Sequence, residues 1–203
     1  MCYNWQSSIV SFFVGITCSL YLLQQKDKYL KHAGFFFVAV CLMQLIEFFM
    51  WMDQDCGWLN DLASRSIIII LNLQVLTLYF GGLYFKTIEF PFLYHPIIAS
   101  IVTICSLYKG FEHLFIQDKL CSKEIKPKGL KWDKMNNKLS FFGLGYFVMF
   151  IILSLMLSYK SDIWKVITVL GIFHYYITSE KDYSYWCFYS AGIPLILSIF
   201  LLL

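Results

Sequence analysis

The chain has 203 residues, 59% of them hydrophobic, 20% aromatic and 14% charged, with a formal net charge of +3. Soluble domains carry about 45–50% apolar and about 25% charged residues, and a soluble fold of this size has too much surface to hide such an excess. The balance excludes an ordinary water-soluble enzyme. With its lysines gathered mainly in one segment, the chain also lacks the basic footprint of a nucleic-acid-binding domain.

Seven apolar runs divide the chain, each near the roughly 20 residues needed to cross about 30 Å of hydrocarbon. The first predicted helix is Ser7–Leu23. No Lys or Arg precedes Lys26 and no small-residue cleavage pattern follows, so this segment reads as a retained helix rather than a cleaved signal peptide. Gln24 to His32 follows as a loop with Lys26, Lys28 and Lys31. The second helix, Ala33–Met52, is succeeded by an acidic loop from Asp53 to Arg65, and the third is Ser66–Phe85. After Lys86 to Pro91 comes a fourth helix, Phe92–Tyr108. A long basic loop, Lys109 to Ser140, then holds eight lysines together with Cys121, Pro127 and Trp132. Tight turns separate the last three helices, Phe141–Tyr159, Ile163–Thr178 and Tyr185–Leu203. The expected fold is an all-α polytopic membrane bundle of about seven transmembrane helices, a single domain over residues 1–203. Trp5, Trp51, Trp58, Trp132, Trp164 and Trp186 fall near the predicted interfaces, as an aromatic belt requires. Gly81-Gly82 marks a close helix contact, and Pro96 and Pro194 mark kinks.

The N-terminus and the second, fourth and sixth loops share one side of the membrane. The short loops put Arg65 and Lys181 there, against Lys26, Lys28, Lys31, Lys86, Lys160 and Lys165 opposite. The positive-inside rule then predicts an external N-terminus, although the eight lysines of the long loop pull the other way. Among seven cysteines, Cys18, Cys41 and Cys105 lie in apolar runs and read as small buried hydrophobes. Cys56 and Cys121 lie in loops on the N-terminal side and would form a disulfide if that side is oxidising. Without a CxxC pair, and with His32, His95, His113 and His174 at uneven depths, no metal and no cofactor is expected.

An ionisable group at membrane depth is a candidate site. Glu47 is the clear case, and Gln44, Glu47 and Trp51 recur on one helical face. Counted from the helix ends on the N-terminal side, Glu47, Asn72, Gln74, Tyr146, His174, Cys187 and Ser190 fall in one layer, about 5–12 Å deep. The candidate ligand-binding set is therefore Glu47, Gln44, Asn72, Gln74, His174 and Ser190, with Glu47 as the charge and His174 as its titratable partner. The alternative is that each polar group serves only as interhelical glue.

Catalytic signatures such as GxSxG, HExxH or a Walker loop are missing. The last predicted helix lacks the lysine that would hold retinal. At Gln44 to Trp51 and at Tyr185-Trp186-Cys187-Phe188-Tyr189-Ser190 the chain resembles uncharacterised multi-pass membrane proteins of giant DNA viruses. That resemblance implies residence in a host or virion membrane and assigns no activity. Three functions are in view. The first is binding or transport of a small ligand at the polar layer; the second is an intramembrane enzyme using Glu47 and His174 on a lipid-like substrate. The third is an assembly protein whose lysine-rich loop meets lipid headgroups. Membrane lipids are the expected partners, with no nucleic acid.

Overall fold

A helix begins where its first amides find acceptors, and three polar side chains decide this in the N-terminal half. In a computed structural model, residues 4–88, 97, 100–101, 103–104, 107–108, 111, 114–115, 118–124, 129–132, 151–155, 157, 161–169 and 183–202 are described, with 183–190 as backbone only. Asn4 Oδ1 accepts from Ser7 N at 2.8 Å, and Ser7 Oγ reaches back to Asn4 N at 3.4 Å, closing a capping box over α1 (Trp5–Leu23). Asp27 Oδ1 accepts from Tyr29 N and Leu30 N at 2.8 and 2.9 Å and starts α2 (Lys28–Met52). This is five residues ahead of the expected Ala33, so Lys28, Lys31 and His32 are helical rather than in a loop. Asp53 performs the same service from a distance. Its carboxylate accepts from Gly57 N at 2.8 Å and Asn60 N at 3.0 Å, and α3 (Trp58–Tyr84) starts eight residues before the expected Ser66.

At 25 and 27 residues, α2 and α3 are about 37–40 Å long and exceed the roughly 30 Å of hydrocarbon. The excess length falls at charged ends, with Lys28 and Lys31 on one helix and Asp61 and Arg65 on the other. Among the described residues, α1, α2 and α3 are the helices long and apolar enough to cross a membrane. The other expected spans fall partly or wholly on residues outside the described set. The seventh expected span corresponds to α4 (Tyr183–Leu202), which contains Pro194. Helical backbone at 97, 100–101, 103–104, 107–108, 111 and 114 carries the fourth segment beyond Tyr108, so the long loop starts later than Lys109. Helical residues at 151–155, 157 and 162–169 belong to the fifth and sixth segments, whose other residues lie outside the described set. Part of the long loop is not irregular. It pairs β1 (Lys123–Glu124) with β2 (Leu130–Lys131) in a short antiparallel hairpin.

The helices associate through small residues. The buried face of α1 is Ser8, Gly15, Ser19 and Leu22, while Val10 and Phe13 are more than half exposed on the other face. Lipid is as apolar as leucine, so helix contact there depends on close packing, which small residues allow. α2 is central: it packs on α1, α3 and α4, and α4 also lies against α1.

Candidate functional site

Gln44 and Glu47 are one helical turn apart on α2, and both are completely enclosed at 0% exposure. Gln44 Nε2 donates toward Glu47 Oε2 at 3.5 Å, the long end of hydrogen-bond range. On the α1 side, Gly15 meets Cys41 and Gly34 meets Ser19 and Leu22, an antiparallel register that sets the buried Ser8 level with Glu47. The sequence expectation of a polar face directed into the bundle holds for this pair.

The expected shared polar layer does not take in Asn72 and Gln74. Asn60 Nδ2 donates to Met50 O at 3.2 Å, and the ring of His32 bonds Leu78 O at 2.9 Å. These two bonds fix the α2–α3 register. Glu47 is then level with Ala63, whereas Asn72 and Gln74 are level with Val38 and Phe36. Nine residues of depth separate Glu47 from Asn72, on the order of 13 Å at about 1.5 Å per residue. The expected depth rests on a helix beginning at Ser66, whereas α3 starts at Trp58. Asn72 and Gln74 are buried, at 6% and 1% exposure, in a different part of the bundle. Tyr146 and His174 lie outside the described residues, and for Cys187 and Ser190 the description stops at helical backbone.

A denser polar constellation crowns the α2–α3 turn. Cys56 and Cys121 are joined as a disulfide, with Cα atoms 5.3 Å apart. Cys56 has φ 59°, a left-handed conformation that a non-glycine residue adopts at some strain. Asn60, fully buried, pairs with the backbone of Ser122 as another strand would: Ser122 N donates to Oδ1 at 2.8 Å and Nδ2 donates to Ser122 O at 2.9 Å. The hydroxyls of Ser64 and Ser122 are 2.8 Å apart. Arg65 pairs with Asp61 and donates to the carbonyls of Leu114 and Asp118, both at 3.0 Å. Asp61 Oδ1 also accepts from Leu120 N at 2.8 Å. Asn60, Asp61, Ser64 and Arg65 were absent from the sequence-derived site. Their i, i+4 spacing was the available signal, but it was read as part of a loop.

Asp53 brings a pH dependence to this cap. The amides of Asn60 and Gly57 bonded to its carboxylate hold its pKa below the ordinary value, about 3.9 for a free side chain. A carboxyl depressed on folding contributes stability that is present above the unfolded value and lost as pH falls through the folded one. Amide exchange at Gly57 and Asn60 should therefore stay slow from neutral pH down to the ordinary aspartate range and accelerate below it. Asp53→Asn should remove the pH dependence.

At the opposite end, His32 is a buried residue that the sequence reading placed in a loop. The Leu78 carbonyl can only accept, so Nε2 carries the proton, and the Thr87 hydroxyl donates to Nδ1 at 2.8 Å. Trp164 is fully buried, with its ring 5.0 Å from that of His32 near the start of α2. Gly81 and Gly82 lie against the same imidazole, the close contact expected of that pair. With both ring nitrogens engaged, His32 locks α2 to α3. Among the described residues, no three His, Cys, Asp or Glu side chains gather as a metal site. No protein-family model, curated protein or solved structure matches the chain.

Proposed function

We propose that the chain is a multi-pass integral membrane protein that binds a small ligand at the Gln44–Glu47 pair, and that this ligand is a proton. The carrying observation is the complete enclosure of a carboxyl and its amide partner within a membrane-spanning helix. Carboxyls inside membrane bundles are costly to bury and recur in proton relays. Both side chains are fully enclosed, and a proton needs no cavity. Glu47 takes up the proton and Gln44 orients the carboxyl. The Cys56–Cys121 disulfide supports an oxidising compartment, and an external N-terminus, on the side that carries the cap. The resemblance to giant-virus membrane proteins extends the proposal to a host or virion membrane.

A second reading is favoured by the same bond: Gln44 and Glu47 are interhelical glue, with no ligand. Glu47→Gln separates the two. Under the proton reading, the variant folds in normal yield but loses the pH-dependent carboxyl band in infrared difference spectra. Proton uptake into liposomes then falls about a hundredfold or more, the usual scale for losing a positioned proton-transfer group. A collapse in folded yield would establish the glue reading instead. Normal yield with unchanged uptake would remove Glu47 from function altogether.

A further inference from the structure

The end of the bundle beneath the cap combines two surfaces that water alone suits poorly. Trp58 is 75% exposed and Phe115 71%, and the Phe111 and Phe115 rings stack at 5.6 Å. At the same end, residues 118–124 are bound inward by Asn60, Asp61, Ser64 and Arg65, and Leu120, Leu130 and Trp132 are buried beneath. Lys123 and Lys131 are left exposed, and the β1–β2 register sets them directly opposite each other. Like charges directly opposed on an antiparallel pair are destabilising, and neither ammonium makes an ion pair among the described residues. Lys119 differs, since it sits in the field of Asp53. Glu124, next along β1, is opposed by Leu130 and alternates to the other face.

We propose that Lys123 and Lys131 clamp the phosphate of an anionic phospholipid in the leaflet at this end, which on the topology proposed above is the leaflet facing the oxidising side. Opposed Cβ atoms on an antiparallel pair are about 4.5–5.5 Å apart, so two flexible lysine stems converge on one phosphate between them. A headgroup with net negative charge cancels the repulsion. A zwitterionic one, carrying its own ammonium, does so less well. The exposed tryptophan and phenylalanines occupy the acyl–headgroup boundary, where aromatic rings are favoured. This supplies an anchor at the depth where the headgroup would sit. The source is therefore a lipid rather than a free anion, and the site is independent of Glu47.

The test uses the full chain in phosphatidylcholine nanodiscs with and without phosphatidylserine, followed by detergent extraction and mass spectrometry of the retained lipid. Wild type is expected to retain phosphatidylserine in excess of its share of the disc. Lys123→Gln with Lys131→Gln should lower that retention roughly fivefold for each lysine, while Lys26→Gln in the exposed turn at the other end leaves it unchanged. Lys123→Arg with Lys131→Arg should retain the lipid, which covers the case in which the glutamine pair misfolds. Equal retention by wild type and the glutamine variant overturns the proposal, as does equal loss in Lys26→Gln. If inorganic phosphate displaces the lipid and protects wild type from heat as well as the lipid does, the site is a free-anion site and the lipid assignment falls.

Discussion

Gly34→Ala is expected to destabilise the bundle even though it replaces a poor helix former with the best one. Alanine in a helix interior is favoured over glycine by about 1 kcal/mol. At Gly34, however, an added Cβ would lie 2.6 Å from Ser19 O and 2.8 Å from Leu23 N. Both are backbone atoms of, or next to, α1, and cannot turn aside as a side chain would. The two helices must separate, and the contacts along the Ser8, Gly15, Ser19 and Leu22 seam loosen with them. Overpacking costs about 1–3 kcal/mol where side chains can adjust, so backbone contact places the net loss at about 2 kcal/mol, with Gly34→Leu considerably worse. Gly192→Ala is the matched control. It is also a helical glycine, but nothing lies within 4 Å of the added Cβ. Its expected effect is therefore a gain of up to about 1 kcal/mol. Unfolding midpoints in detergent would check both, and a same-sign shift for the two variants would refute the seam.

Asn60→Ala is expected to detach residues 118–124 from the α2–α3 turn. The Asn60 amide donates to the carbonyls of Met50, Asp53 and Ser122, and its oxygen accepts from Ser122 N and the Ser64 hydroxyl. Alanine leaves these groups without their partner, and a buried unsatisfied group costs about 1–3 kcal/mol. Water reaches the partly buried Asp53 carbonyl. Met50 O keeps the Gln54 side-chain amide at 2.7 Å, so the cost falls on the enclosed N–H and C=O of Ser122, together about 3 kcal/mol. The Cys56–Cys121 bond keeps the segment tethered, so the defect should appear first as faster amide exchange at Leu120 and Ser122, and deepen after reduction. Asn60→Asp has nearly the same shape and should be worse at neutral pH, because it aims a carboxylate oxygen at three carbonyls. An Asn60→Asp variant with slow exchange at Ser122 would contradict the assigned network.

The polar groups at the two ends of α2 differ in how far they were legible. Glu47 and Gln44 stood out because charge and amide are rare in apolar runs, and their shared face follows from helical periodicity. His32 did not, since a histidine directly after Lys31 reads as loop until the Asp27 cap shows that the helix has already begun. The Asn72–Gln74 pairing with Glu47 failed for the same kind of reason. A misplaced helix start shifts every depth that is counted from it.

Apolarity and length by themselves determined that this chain has helices able to cross a membrane, because hydrocarbon leaves no water to satisfy an exposed backbone. Composition also set the approximate C-terminal ends of α1, α2 and α3. The start of α2 is a local matter of the Asp27 cap on the next amides, whereas the start of α3 depends on the folded turn that brings Asp53 to Gly57 and Asn60. Tertiary structure also decided the register, through His32 with Leu78 and Asn60 with Met50. The covalent bond between Cys56 and Cys121 spans 65 residues, and only a folded turn that draws Ser122 against Asn60 brings the two thiols together. Hydropathy is a property of each segment alone, whereas depth, register and enclosure are relations between segments, which a linear pattern does not carry.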